Sequence, residues 1–203
     1  MILDKKKFGI ELIKATLKIT IAGVVLGFLH ERHILLAFLL AARTIQVTYN
    51  LSFNNGSKNW IIPIGMLFTA ISGLIIEYIG VTYNLWEYHN IDPILPYWLP
   101  FAWLLSFPFI YKIEKNLIQT LSHKTLKNKL IIIGLISFVF PAFGEMITIA
   151  LGVWTYYVPY QLFGVPFLAF LVLPLLHICI NLALFKICEK SHIADPVFNS
   201  SLS

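Results

Sequence analysis

The stretch Leu130–Trp154 reads LIIIGLISFVFPAFGEMITIALGVW, and Glu145 is its one charged side chain. About twenty consecutive apolar residues, rising roughly 1.5 Å each as a helix, cross the ~30 Å hydrocarbon core of a bilayer. Working outward, comparable apolar runs occupy Ile10–Leu29, Ile34–Phe53, Trp60–Val81, Ile94–Ile113 and Phe163–Ile187, with short connections apart from residues 114–129. The pattern predicts an all-α polytopic membrane protein of about six transmembrane helices. One integral membrane domain covers residues 1–190, and the polar tail 191–203 is expected to be disordered.

Composition agrees with this reading. The 203 residues are 58% hydrophobic and 12% charged, against roughly 25% charged in ordinary soluble domains. The formal net charge of +5 does not indicate nucleic acid, because the lysines form short clusters between apolar runs. With the N-terminus inside, the inner segments carry Lys5, Lys6, Lys7, Lys58, Lys112, Lys115, Lys124, Lys127, Lys129, Lys186 and Lys190, and the outer ones only Arg32. That bias predicts six crossings with both termini cytoplasmic, in the plasma (inner) membrane, because basic loops resist translocation. The first run carries Lys14 and Lys18 and no small-residue cleavage site, so it is read as an uncleaved helix. Cys179 and Cys188 read as reduced packing residues.

The run from which the reading began also contains half of a repeat. Glu77 is followed after eight residues by Trp86-Glu87-Tyr88, and Glu145, 68 positions later, by Trp154-Thr155-Tyr156. A proline-led apolar run follows each, Pro100-Phe101-Ala102-Trp103 and Pro166-Phe167-Leu168-Ala169. Repeat units around 60–113 and 130–187 are therefore expected. One span separates them, so the copies run parallel about an axis along the membrane normal. Prolines at 96, 100, 108, 141, 166 and 174 suggest broken or kinked helices around a cavity, or simply tolerated by packing.

Glu77 and Glu145 are the candidate catalytic residues, since a carboxyl in a low-dielectric site stays neutral unless a cation or several donors hold its anion. Arg43, in the middle of the second run, is the candidate cation, which would leave one acid charged and the other neutral. Arg43, Gln46 and Asn50 share one helical face, as do His177 and Asn181 on the sixth run. They make a polar seam that either contacts a substrate or locks the helices together. Trp86, Tyr88, Trp154 and Tyr156 either line the site or, with Trp60, Trp98 and Tyr157, anchor the chain at the interface.

The sequence has no phosphate-binding glycine loop, no aspartate-rich magnesium motif and no histidine cluster, so neither a metal nor a cofactor is expected. Buried acids without a cofactor suit protonation of an alkene, followed by water capture, ring closure or proton loss. A proton-coupled transporter or lipid-binding protein, and a structural membrane subunit, are the alternatives.

At these residues the sequence resembles the carotenoid 1,2-hydratase family of membrane proteins. Ile76-Glu77-Tyr78-Ile79-Gly80-Val81 with Tyr88 and Pro96 to Trp103 is similar to that family's first motif. Leu151-Gly152-Val153-Trp154-Thr155-Tyr156 with Phe163-Gly164-Val165-Pro166 is similar to its second. The resemblance spans roughly residues 73–173. It implies a hydratase or cyclase acting on a hydrophobic isoprenoid or lipid-like substrate drawn from the membrane lipids, with acid chemistry near Glu77 and Glu145. Small transmembrane lycopene and meroterpenoid cyclases are compatible with the same argument.

Overall fold

The computed structural model describes residues 5–53 and 59–198, so Lys58 of the inner charge cluster and the tail beyond residue 198 lie outside the described residues. Six helices account for most of the chain: α1 (Lys5–Leu29), α2 (His33–Ser52), α3 (Ile61–Thr82), α4 (Leu99–Gln119), α5 (Leu126–Ala150) and α6 (Phe167–Ser191). Four short strands sit between them: β1 (Trp86–Tyr88), β2 (Trp154–Tyr156), β3 (Gln161–Leu162) and β4 (Val165–Pro166).

Each predicted run coincides with one helix, but the ends differ in instructive ways. The fourth helix begins at Leu99 rather than Ile94, because Pro93 and Pro96 keep the preceding segment out of the helical region. It continues to Gln119 rather than stopping at Ile113, which brings Glu114 into a helix. The fifth ends at Ala150 and not at Trp154, since Gly152 turns left-handed at φ 74°. Pro108, Pro141 and Pro174 lie inside α4, α5 and α6, each of which nevertheless runs as one unbroken helix.

All of these helices except α4 are long and apolar enough to cross a membrane; α4 carries Lys112, Glu114 and Lys115 in its second half. Large apolar side chains cover the outside: Phe28, Phe38 and Ile45 are 75%, 71% and 72% exposed. A folded chain with this surface is compatible with a multi-pass membrane protein.

At one end of the bundle the chain doubles back on itself. Residues 192–198, expected to be part of a disordered tail, instead pack into the main core, where Val197 and Phe198 are fully buried. Phe198 stacks on Tyr111 of α4 and meets Phe185 of α6 edge-on, with ring centroids 5.9 and 5.4 Å apart. Asp195 anchors the turn. Its carboxylate accepts from Asn59 Nδ2 (2.9 Å), the Tyr111 hydroxyl (2.8 Å) and the backbone N–H groups of Val197 and Phe198. The buried Lys129 Nζ donates to the Val197 carbonyl at 3.0 Å. Burial of two large side chains and capture of an acid by four donors outweigh the entropy of ordering these few residues. Phe198→Ala should destabilise the protein by about 3 kcal/mol, measured by thermal unfolding in detergent; an unchanged midpoint would show that the packing of the segment contributes nothing.

Candidate functional site

The two repeated motifs form one structure. α3 and α5 end in matching left-handed caps, with Asn84 at φ 53° and Gly152, 68 residues later, at φ 74°. The closing bonds match at the same offset. Leu85 N donates to the Gly80 carbonyl at 2.8 Å and Val153 N to the Thr148 carbonyl at 3.0 Å; Asn84 N donates to Val81 and Gly152 N to Ile149. This Schellman-type ending reverses the chain, and so delivers β1 and β2 to each other as an antiparallel pair.

In that pair Trp86 faces Tyr156, Glu87 faces Thr155 and Tyr88 faces Trp154. Two outer bonds complete it, His89 N to the Val153 carbonyl and Tyr157 N to the Leu85 carbonyl, and they too are mates at the 68-residue offset. A three-residue ribbon is too short to hold by itself. Aromatic packing holds it here, with Trp86 edge-on to Tyr156 (5.3 Å) and Tyr88 edge-on to both Trp154 (5.6 Å) and Trp98 (6.0 Å).

Beneath the ribbon lie the two carboxyls, each five residues before its helix ends at Thr82 or Ala150. Glu77 Oε2 accepts from Trp86 Nε1 at 3.0 Å and from the Tyr88 hydroxyl at 2.8 Å, and Oε1 accepts from Trp103 Nε1 at 3.3 Å. Glu145 accepts from the Tyr156 hydroxyl at 3.1 Å. Burial first, then the neighbouring carboxyls, push both Tyr88 and Tyr156 above the ordinary phenol range, so each remains an O–H donor. Each phenol feels the carboxyl of the other repeat as well as its own, so the two half-sites are electrostatically one.

Small residues on α3 explain the difference in donors. Gly73, Glu77 and Gly80 share a face. A Cβ on Gly80 would come within 1.9 Å of the Trp86 ring, and one on Gly73 within 2.2 Å of the Trp103 ring. The indoles occupy those two seats and aim their N–H groups at the carboxylate between them. The matching positions on α5 are Pro141 and Thr148, and the second repeat has no tryptophan at the place of Trp103, with Ala169 there when the proline-led runs are aligned and Leu171 at the 68-residue offset. Thr148 fills the seat and turns its hydroxyl back to the carbonyls of Gly144 and Glu145. Trp154 Nε1 is buried without a hydrogen-bond partner. Identical motifs thus give one carboxyl three donors and the other one.

The remaining candidates lie elsewhere. Arg43 is exposed, and its guanidinium donates to Gln46 Oε1 at 2.6 Å rather than to either glutamate; its charged neighbour is Lys112 of α4. It stands ten residues into α2 from the ribbon end, the glutamates only five from theirs, which is some 7 Å deeper. Gln46 and Asn50 are deeper still and exposed. His177 and Asn181 are buried, but around a different acid: His177 Nε2 lies 2.7 Å from Glu114 Oε1, and Asn181 Nδ2 donates to the His177 carbonyl. The polar seam is therefore two separate features. Trp98, expected at the interface, is 1% exposed within the aromatic cluster, whereas Trp60 and Tyr157 are exposed.

Glu114 escaped the sequence reading because the fourth apolar run seemed to end one residue before it. Trp103 escaped because its repeat counterpart is an alanine. The spacing Gly73-x3-Glu77-x2-Gly80 is the signal that could have identified indole seats beside the acid. Among the described residues no group of three or more His, Cys, Asp and Glu could hold a metal ion.

Gly80→Ala should lower stability by about 2 kcal/mol, because the added Cβ overlaps the Trp86 ring and such overpacking costs roughly 1–3 kcal/mol, even though alanine is the better helix former by about 1 kcal/mol. Thr148→Ala, at the matching position, should change it by less than about 1 kcal/mol. Thermal unfolding of the two variants in one detergent checks the contrast, and equal effects would refute the seat. A comparison with family models, curated proteins and solved structures finds no match to this chain.

Proposed function

We propose that this chain is a multi-pass membrane enzyme that protonates an alkene of a hydrophobic isoprenoid without a cofactor, as a hydratase or cyclase. The observation that carries the proposal is the unequal pair of glutamates beneath one aromatic ribbon, Glu77 with three donors and Glu145 with one. Three N–H and O–H donors suit a carboxylate; one donor and an apolar surrounding suit a carboxylic acid. Two acids in different environments divide the roles of acid and base.

In this reading Glu145 carries the proton. Its O–H bond breaks as the π electrons of the substrate double bond form a new C–H bond, leaving a tertiary cation and the Glu145 carboxylate. The Glu77 carboxylate and the π faces of Trp86, Tyr88, Trp154 and Tyr156 stabilise the cation, each ring contributing on the order of 0.5–2 kcal/mol. Water capture gives an alcohol, attack by a second double bond closes a ring, and loss of a neighbouring proton gives an isomer. In each case the departing proton returns to the Glu145 carboxylate, so the enzyme is regenerated. An open apolar groove of about 500 Å3 along the last two turns of α5, lined by Met146, Ile149, Ala150, Phe163 and Gly164, offers a surface for such a chain on the helix that carries Glu145.

The membrane setting belongs to the same proposal. Six crossings, with α4 as the least apolar, leave the lysine-rich ends inside and the ribbon near the outer face of the plasma (inner) membrane. The matched caps and ribbon bonds support an origin of residues 60–113 and 130–187 by duplication. A second reading, proton-coupled transport, draws on Glu114 and His177, a buried acid and base deep in the bundle.

Glu145→Gln and Glu77→Gln should each lower product formation by at least ~100-fold while the protein accumulates normally. Mass spectrometry of lipid extracts reads this directly: a gain of one water marks hydration, and an unchanged mass with altered retention marks cyclisation or isomerisation. Full activity in both variants would refute acid catalysis here. For topology, alkaline phosphatase fused after Tyr160 should be active and fused after Thr120 inactive; the reverse pattern would overturn the proposed orientation.

A further inference from the structure

We infer that the Glu145 half-site recognises an isoprenoid carrying a neutral oxygen, a hydroxyl, ether or carbonyl, through the N–H of Trp154. This deepens the proposed function and rests on it. Trp154 is the repeat counterpart of Trp86, which spends its N–H on Glu77. The seat that lets Trp86 do so is filled in the second repeat by Thr148, and no indole N–H donates to Glu145, whose donor is the Tyr156 hydroxyl. The result is a buried donor with no acceptor in the repeat whose carboxyl has only one donor.

A desolvated N–H without a partner carries an uncompensated desolvation cost, and its twin shows that the ribbon itself does not impose that cost. A ligand oxygen removes it. A hydrocarbon cannot, and a carboxylate or phosphate is disfavoured because the Glu77 carboxylate of the paired half-site repels an anion. The indole is itself fixed by its edge-on contact with Tyr88 at 5.6 Å, so the N–H is held in place before a ligand arrives and little further ordering is required on binding.

The test uses the full chain in detergent micelles with two probes, geranylgeraniol and the hydrocarbon that lacks only its hydroxyl, and compares the ratio of their affinities. Trp154→Phe should reduce the preference for the alcohol over the hydrocarbon about tenfold, the worth of one hydrogen bond. A ratio identical to that of the wild type would overturn the inference. Should Trp154→Phe fail to fold, Thr148→Gly makes the same comparison. It opens the seat, lets Trp154 donate to Glu145, and should lower the ratio equally; an unaltered ratio again refutes the role. No turnover is needed, so loss of the binding preference and loss of Glu145-dependent product formation are separate results.

Discussion

An ionisable side chain buried inside a helix bundle has to find its partners within the bundle, because burial removes the water that would otherwise take their place. Three groups of acids meet that constraint in three ways, and their solutions order the fold. At the ribbon end, Glu77 and Glu145 hang from aromatic donors. Deeper, Glu114 pairs with His177. At the opposite end, Asp195 gathers two side chains and two backbone N–H groups and thereby pulls residues 192–198 into the core. Helix ends, the ribbon and the returning C-terminal segment are each set where an acid needs donors.

The ribbon end shows how two matching motifs give an unequal pair of carboxyls rather than a symmetric one. Backbone geometry is conserved between the halves down to the individual bonds of the helix caps, since the cap and strand pairing depend on a left-handed residue and on the length of the loop. Side-chain geometry is not conserved. Two glycines and a tryptophan in one half, against a proline, a threonine and an alanine in the other, change the donor count from three to one. The proposed acid and base roles require two carboxyls that differ, and a few side-chain differences between the matching segments are enough to make them differ.

Most of the architecture was legible in the chain. Partition into an apolar phase is close to additive along a segment, so runs such as Leu130–Trp154 announce their helices without knowledge of neighbours. The recurrence of Glu-x8-Trp-x-Tyr at one spacing was legible for a similar reason, since a repeated local fold demands repeated local residues. Arg43 was misjudged because helical periodicity gives a face but not a depth, and the depth of Arg43 differs from that of the glutamates by more than a turn. Glu114 was missed because lysines on either side made a buried acid look like the start of a loop.

The sequence by itself determined how many helices form, that Glu77 and Glu145 belong to matching units, and that aromatic residues follow each at a fixed interval. Only the tertiary structure decided that the two units pair through their strands, that Trp103 and not Arg43 attends Glu77, that Trp154 is left with an unused N–H, and that His177 serves Glu114. The physical reason is one of range. Helix formation and repeat spacing are local properties of the chain. A hydrogen bond between side chains 26 or 63 residues apart, as for Trp103 with Glu77 and His177 with Glu114, depends on the rotation and depth of two packed helices to within an ångström, and that is fixed only when every other contact is made.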